Sequence, residues 1–211
     1  RANILHKGKK YKESSKFLQL ANNLKLDLNP SNSDSLINKS STLLIESNKK
    51  EINEVEYNNF PESIFIVGMF RSGSTLLESI LSMNTSVDDL GEIKFLEESF
   101  LETKKSVRAL SLAEEYWKKI KDLKKKSNIT TNKNLFNYQY TGIIAQKIPN
   151  AKIIHCFRNP LDNILSIYRA HFANGNEYSS SLADCSRVYI NQEKIMREYK
   201  NKYRQNIYDL D

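Results

Sequence analysis

The sequence predicts an α/β protein: a parallel sheet flanked by helices, with a helical segment ahead of it. Three observations predict this. From residue 64 onward, short apolar runs that read as strands alternate with amphipathic stretches of helical period. Two of those runs, "IFIV" at Ile64–Val67 and "KIIHCF" at Lys152–Phe157, break off into polar loops, as parallel strands do at the edge where ligands bind. The first 48 residues carry apolar side chains at helical spacing.

The elements follow in order. Ile4, Leu5, Tyr11, Phe17, Leu18, Ala21 and Leu24 fit helical faces with a break near Gly8, and Pro30 with "NPSNSDS" ends that unit. Ser33 or Asp34 is the expected cap of a second helix carrying Leu36, Ile37, Leu43, Leu44 and Ile45. The polar residues 49–62 read as a linker, and residues 63–211 as the main domain. Within it, Ile64–Val67 is a strand, Thr75–Met83 a helix, Val87–Leu90 a short strand and Phe95–Lys104 a helix. Leu112–Lys126 is a long amphipathic helix whose closing Lys124, Lys125 and Lys126 suit the dipole. Ile129–Thr131 is a strand, Leu135–Ile148 a helix and Lys152–Phe157 a buried strand. Pro160–Phe172 is a helix with Asn159 as cap and Pro160 at its first position. A long helix covers Leu182–Tyr199, and "NIYDLD" opens another strand.

The 211 residues allow one full domain with a small appendage. A net charge of +7 favours an anionic partner: nucleic acid, an acidic peptide or a phosphorylated cofactor. Charge does not choose among them, but no groove-reading motif is present, which argues against nucleic acid. Cys156 and Cys185 make neither a disulfide framework nor a zinc pattern. No run of about 18 apolar residues offers a membrane span. A cytoplasmic location is the expectation.

The stretch "SIFIVGMFRSGSTLLESIL", Ser63–Leu81, nearly spells the phosphate loop G-x-x-x-x-G-K-[ST], so the sheet is expected to be of the P-loop type. Ser74 stands where the lysine belongs. In a nucleotide triphosphatase that lysine reaches the β- and γ-phosphates, and the next hydroxyl holds Mg²⁺. Without it the helix N-terminus still presents backbone N–H groups to an anion. Ser72, Ser74 and Thr75 add hydroxyls and Arg71 adds a guanidinium fork. The second strand ends not in a metal-binding acid but at Arg158, with Ser166 about two helical turns beyond. A ligand with two separated phosphates and no metal would satisfy both loops.

These two motifs resemble those of sulfotransferases. "FIVGMFRSGSTLLESIL" is similar to their 5′-phosphosulfate loop and "RNPLDNILSIY", Arg158–Tyr168, to their 3′-phosphate motif. The implied donor is 3′-phosphoadenosine 5′-phosphosulfate, PAPS, with no metal. Arg71, Ser72, Gly73, Ser74 and Thr75 are thereby implied as the 5′-phosphosulfate site, and Arg158 and Ser166 as the 3′-phosphate site. The branch most resembled follows tetratricopeptide repeats and is akin to protein-tyrosine sulfotransferases. Gly8, Tyr11 and Ala21 are in keeping with the tail of such a repeat, although a helical hairpin fits them equally. In the repeat reading, these N-terminal helices make protein contacts.

"LGEIKFL" resembles the segment carrying that branch's catalytic glutamate, which implies Glu92 as base. "TNKNLFN" resembles the segment whose lysine faces the sulfuryl group, which implies Lys133. Arg71 and Lys133 would then stabilise charge on the transferred group. The plain alternatives are a glutamate in the first turn of a helix and a surface lysine. His155 reads as a core histidine, His171 as structural or acceptor-side, and His6 carries no role. Phe70 replaces the family's proline, Asn132 an aspartate that would orient the lysine, and Ser74 a threonine. The family's Y-E-x-L segment and its cofactor-closing loop are expected beyond Asp211, so the domain is expected to be C-terminally truncated. The acceptor is a hydroxyl on a peptide (tyrosine included), a glycan or a small alcohol. Two other readings fit the residues less well: a nucleotide kinase or triphosphatase with a degenerate loop, and a non-catalytic nucleotide-binding module.

Overall fold

The computed structural model of the protein describes residues 1–49, 60–105, 110–123, 127–172 and 174–211. Its elements are α1 (Ala2–Lys7), α2 (Tyr11–Leu28), α3 (Ser33–Asn48), β1 (Glu62–Gly68), α4 (Ser74–Leu81), β2 (Val87–Asp89), α5 (Phe95–Lys105) and α6 (Leu112–Lys121). There follow β3 (Ile129–Asn132), α7 (Thr141–Lys147), β4 (Ala151–Cys156), α8 (Pro160–Arg169), α9 (Leu182–Tyr203) and β5 (Ile207–Leu210). The five strands form one sheet in the order β2-β3-β1-β4-β5. Every pairing is parallel. This is the α/β architecture the alternating signals predicted.

The sheet belongs to one of two units, made of Lys39–Arg158 and Gln192–Asp211. Its central strand explains why β1 reads as an unbroken apolar run, since both faces are covered. Phe65 and Val67 enter the larger core with Leu96, Tyr116, Ile143, Ile153 and Met196. Ile66, one residue out of phase, joins Cys156 and Leu135 in a smaller core, with Ile64, Leu77 and Leu81 packed against it. The register Phe65↔Ile153 and Ile66↔Ile154 keeps neighbouring strands in phase across both faces.

The other unit comprises Arg1–Asn38 and Asn159–Asn191. Side-chain amides join its helices. Asn22 Nδ2 donates to the Tyr168 carbonyl at 3.0 Å. Asn32 donates to the Gly175 carbonyl and accepts from the Tyr178 N–H. Gly8 closes α1, its N–H donating to the Ile4 carbonyl. No helix among the described residues is long and apolar enough to cross a membrane.

Several element ends differ from expectation. Ser33 is the first helical residue of α3 rather than its flank, and its Oγ donates to Asp184 Oδ1 at 3.0 Å. The helix opening at Leu112 closes at Lys121, with Asp122 and Leu123 in a turn. Its expected lysine terminus, residues 124–126, lies outside the described residues, as does most of the expected linker. The Leu135–Ile148 stretch opens as a 3₁₀ turn over Leu135–Tyr140 before α7. The helix at Pro160 stops at Arg169 because Ala170 turns extended (φ −78°, ψ 154°). Asn159 caps that helix as expected, accepting from the N–H groups of Leu161 and Asp162.

His155 is wholly enclosed on β4. Its Nε2 meets the Gln192 amide at 2.7 Å and its Nδ1 lies 3.4 Å from Asp209 Oδ1. Burial, with the Lys200 charge nearby, pushes the imidazole down to about 4, against the pull of Asp209. The unfolded chain therefore takes up this proton first as pH falls. Stability from the neutral histidine is complete above its ordinary value near 6.5 and drains away as pH drops towards 4. Urea denaturation across that window is expected to lose about 3 kcal/mol more in the natural protein than in His155→Gln. Parallel profiles would contradict it.

Candidate active site

The loop after β1 is built on one close approach. Gly68 pairs with Cys156 across the β1–β4 ladder. A Cβ at Gly68, where φ is +137°, would stand 2.2 Å from the Cys156 carbonyl oxygen. Only glycine lets the chain leave β1 here. The loop then takes Arg71 through a left-handed conformation (φ 67°) and enters α4 at Gly73 (φ 91°). Phe70, where the resembled sulfotransferases carry a proline, packs edge-on against Phe136 with ring centroids 5.3 Å apart. An aromatic contact thus anchors the loop where a fixed φ would otherwise do so.

The N-terminus of α4 has no side-chain cap. Ser72 Oγ is enclosed and has no hydrogen-bond partner among the described residues. Uncapped backbone N–H groups beside an orphaned hydroxyl suit a small anion. Arg71, Gly73 and Thr75 are exposed and Ser74 is buried. Arg158, exposed beyond the end of β4, has Nη1 3.5 Å from the Arg71 carbonyl oxygen. The two loops that follow β1 and β4 therefore converge, as the strand pairing requires. They flank the sheet position where the chain order reverses, the usual ligand crevice of such sheets. Ser166 sits half-buried on α8, in the other unit.

Glu92 and Lys133, 41 residues apart, meet directly: Lys133 Nζ donates to Glu92 Oε1 at 2.6 Å. The ladder between β2 and β3 brings this about. Asp89 pairs with Thr131, Leu90 N–H donates to the Thr131 carbonyl and Lys133 N–H donates to the Gly91 carbonyl. Strand pairing therefore carries on past β2 and sets the residue after Gly91 beside the lysine. Glu92 precedes α5 rather than lying in its first turn. The lysine side chain is only 7% exposed, whereas the glutamate is 61% exposed. Lys133 is thus no surface lysine, and Glu92 remains open to an incoming molecule.

The sequence reading missed Glu78. This buried residue of α4 accepts from Thr131 Oγ1 at 3.1 Å, and its Oε2 lies 3.9 Å from Lys133 Nζ. Burial pushes its carboxyl up, opposed by the hydroxyl of Thr131, the charge of Lys133 and the N–H of Gly91. A signal was present: Glu78 lies one turn after Ser74, on the buried stripe of a short apolar helix. Asn132 does not take up the orienting task of the aspartate it replaces. Its amide is committed to Tyr116 Oη, the Asn134 N–H and Asn137 Nδ2. His171 is exposed beyond the end of α8.

Comparison with known proteins bears on this site. The model of the sulfotransferase family matches residues 61–111 and 97–211. An uncharacterized protein of Aquifex aeolicus (strain VF5) is 28% identical over 172 residues. That match takes in 70% of this chain but only 22% of the relative's length.

The two loop glycines should behave differently when replaced by alanine. Gly68→Ala drives a Cβ into backbone and should cost more than about 2 kcal/mol by urea denaturation. Gly73→Ala meets no atom within 4 Å and should cost about 1 kcal/mol from its left-handed backbone alone. Equal losses would contradict the close approach at Cys156.

Proposed function

The chain belongs to the sulfotransferase family, and on that premise we propose that it transfers a sulfuryl group from PAPS to a hydroxyl acceptor. The observation that carries the reading is the 2.6 Å pairing of a buried lysine with an exposed glutamate. That pair stands at the same sheet edge as the uncapped start of α4. It joins a charge stabiliser and a base, the two groups that an in-line transfer to a hydroxyl requires.

In this reading PAPS supplies an activated sulfuryl group. The N–H groups at the start of α4, with Ser72, Ser74, Thr75 and Arg71, hold the 5′-phosphosulfate. The unpartnered Ser72 hydroxyl supports that fit. Arg158 and Ser166 hold the 3′-phosphate. This assignment rests on the motif's spacing and on Arg158 standing against the Arg71 carbonyl. Glu92 takes the acceptor's proton as the new oxygen–sulfur bond forms and the bond from sulfur to the 5′-phosphate oxygen breaks. The displaced phosphate oxygen keeps the electron pair. Lys133 and Arg71 oppose the negative charge that gathers on the sulfuryl and bridging oxygens. Among hydroxyl acceptors, tyrosine on a peptide is the reading favoured by "LGEIKFL" around Glu92.

Turnover with radiolabelled PAPS and an acceptor panel, on the full-length protein, tests these roles separately. Glu92→Gln keeps shape but cannot take a proton, so turnover should fall ~10²-fold or more while 3′,5′-ADP affinity holds. Arg71→Ala should weaken turnover and donor binding together, and Arg158→Ala chiefly donor binding. Near-normal turnover in Glu92→Gln would remove it as the base.

A further inference from the structure

Lys133 Nζ already holds Glu92 Oε1 at 2.6 Å before any acceptor arrives. Once Glu92 takes the acceptor's proton on its open oxygen, it no longer carries the charge that answers the ammonium. The lysine charge is then left inside the protein, where its side chain is 7% exposed. An uncompensated buried charge is costly, so the step needs a second anion within reach. The position from which the family's aspartate would act is filled by Asn132, whose amide is engaged elsewhere.

Glu78 is placed to supply that anion. Its carboxylate ties three segments together: Thr131 on β3, the Gly91 amide on the loop that carries Glu92, and Lys133 itself. At 3.9 Å from Nζ it already shares the ammonium without a tight bond, and a small turn of the lysine side chain closes the gap. Its helix is the one whose first turn forms the anion site, so loop and lysine are mechanically linked. The charged groups facing Glu78 are Lys133 and Asp89, with Glu92 across the lysine.

We propose that Glu78 is a positioning residue, the carboxylate that takes over the charge of the Lys133 ammonium when Glu92 accepts the acceptor's proton. This rests on the reading of Glu92 as base. Glu78 does not touch the reacting atoms. It fixes where Lys133 points when the acceptor arrives.

Glu78→Gln keeps the side-chain size and a partner for Thr131 but removes the charge. In the full-length protein kcat should fall about tenfold or more, as outer partners of reacting groups typically cost, with KM for PAPS within about twofold. Without the second carboxylate Lys133 loses a partner, so the NMR signal of its Cε carbon at neutral pH, assigned with Lys133→Arg, should shift, which a packing role would not produce. Glu78→Asp, which retains the charge, should recover part of kcat. A lower melting temperature with the Lys133 signal and kcat unmoved would overturn the proposal and leave Glu78 a packing group. If Glu92→Gln turns over normally in parallel, the base reading fails on its own. An unmoved Lys133 signal would still overturn the role of Glu78, and a moved one would still support its hold on the lysine.

Discussion

The site depends on one electrostatic constraint: a lysine ammonium placed inside the protein must have its charge answered there. Lys133 is carried to its position by the end of β3, and the strand ladder fixes what lies opposite it. The same hydrogen bonds that extend the β2–β3 pairing bring Gly91 across from Lys133. Glu92 is therefore delivered by backbone register rather than by a chance encounter of long side chains. Glu78 reaches the lysine from α4, and α4 is the helix that opens on the phosphate loop. The uncapped start of α4, Lys133 and Glu92 are held at one end of the sheet, so displacing any of them disturbs the others.

The second constraint is steric. β1 and β4 are neighbours with Gly68 opposite Cys156, and the separation leaves no room for a Cβ. That closeness brings the loop after β1 and the loop after β4 together, seen in Arg158 reaching the Arg71 carbonyl. Both faces of β1 must be covered for this to hold. Phe65 and Val67 on one side and Ile66 on the other divide that work between two cores. A sequence that spends its most apolar residues on a central strand is thus also setting the spacing of its ligand loops.

Much of this was legible in the residues. Strand positions were read closely, because central parallel strands are short apolar runs with no competing helical period. The helix at Pro160 was anchored at its start by Asn159, a cap whose chemistry is local. Helix ends were read less well. Ala170 leaves α8 by a backbone turn that nothing in its own chemistry demands, and Ser33 gives its hydroxyl to Asp184, a partner 151 residues away. Glu92 and Lys133 were each implied by motif resemblance, but their direct pairing, brought about by a ladder running past the last strand residue, is a tertiary fact. Glu78 escaped because an acid within "STLLESIL" looks like the polar side of an amphipathic helix. Only the packing of α4 on the sheet, with Leu77 and Leu81 against the Ile66 core and Glu78 bonded to Thr131, turns it inward.

The central claim is that a phosphate loop lacking its lysine, set beside Arg158, holds a nucleotide bearing phosphates at both 5′ and 3′ positions. Calorimetric titration of the protein with 3′,5′-ADP, 5′-ADP and ATP, in the absence of magnesium, tests it most directly. The account predicts that 3′,5′-ADP binds at least about tenfold tighter than either of the others, since one charge-assisted hydrogen bond contributes roughly 1.5–3 kcal/mol. That advantage should disappear in Arg158→Ala. Equal affinity for the three nucleotides, or tighter binding of ATP, would contradict it.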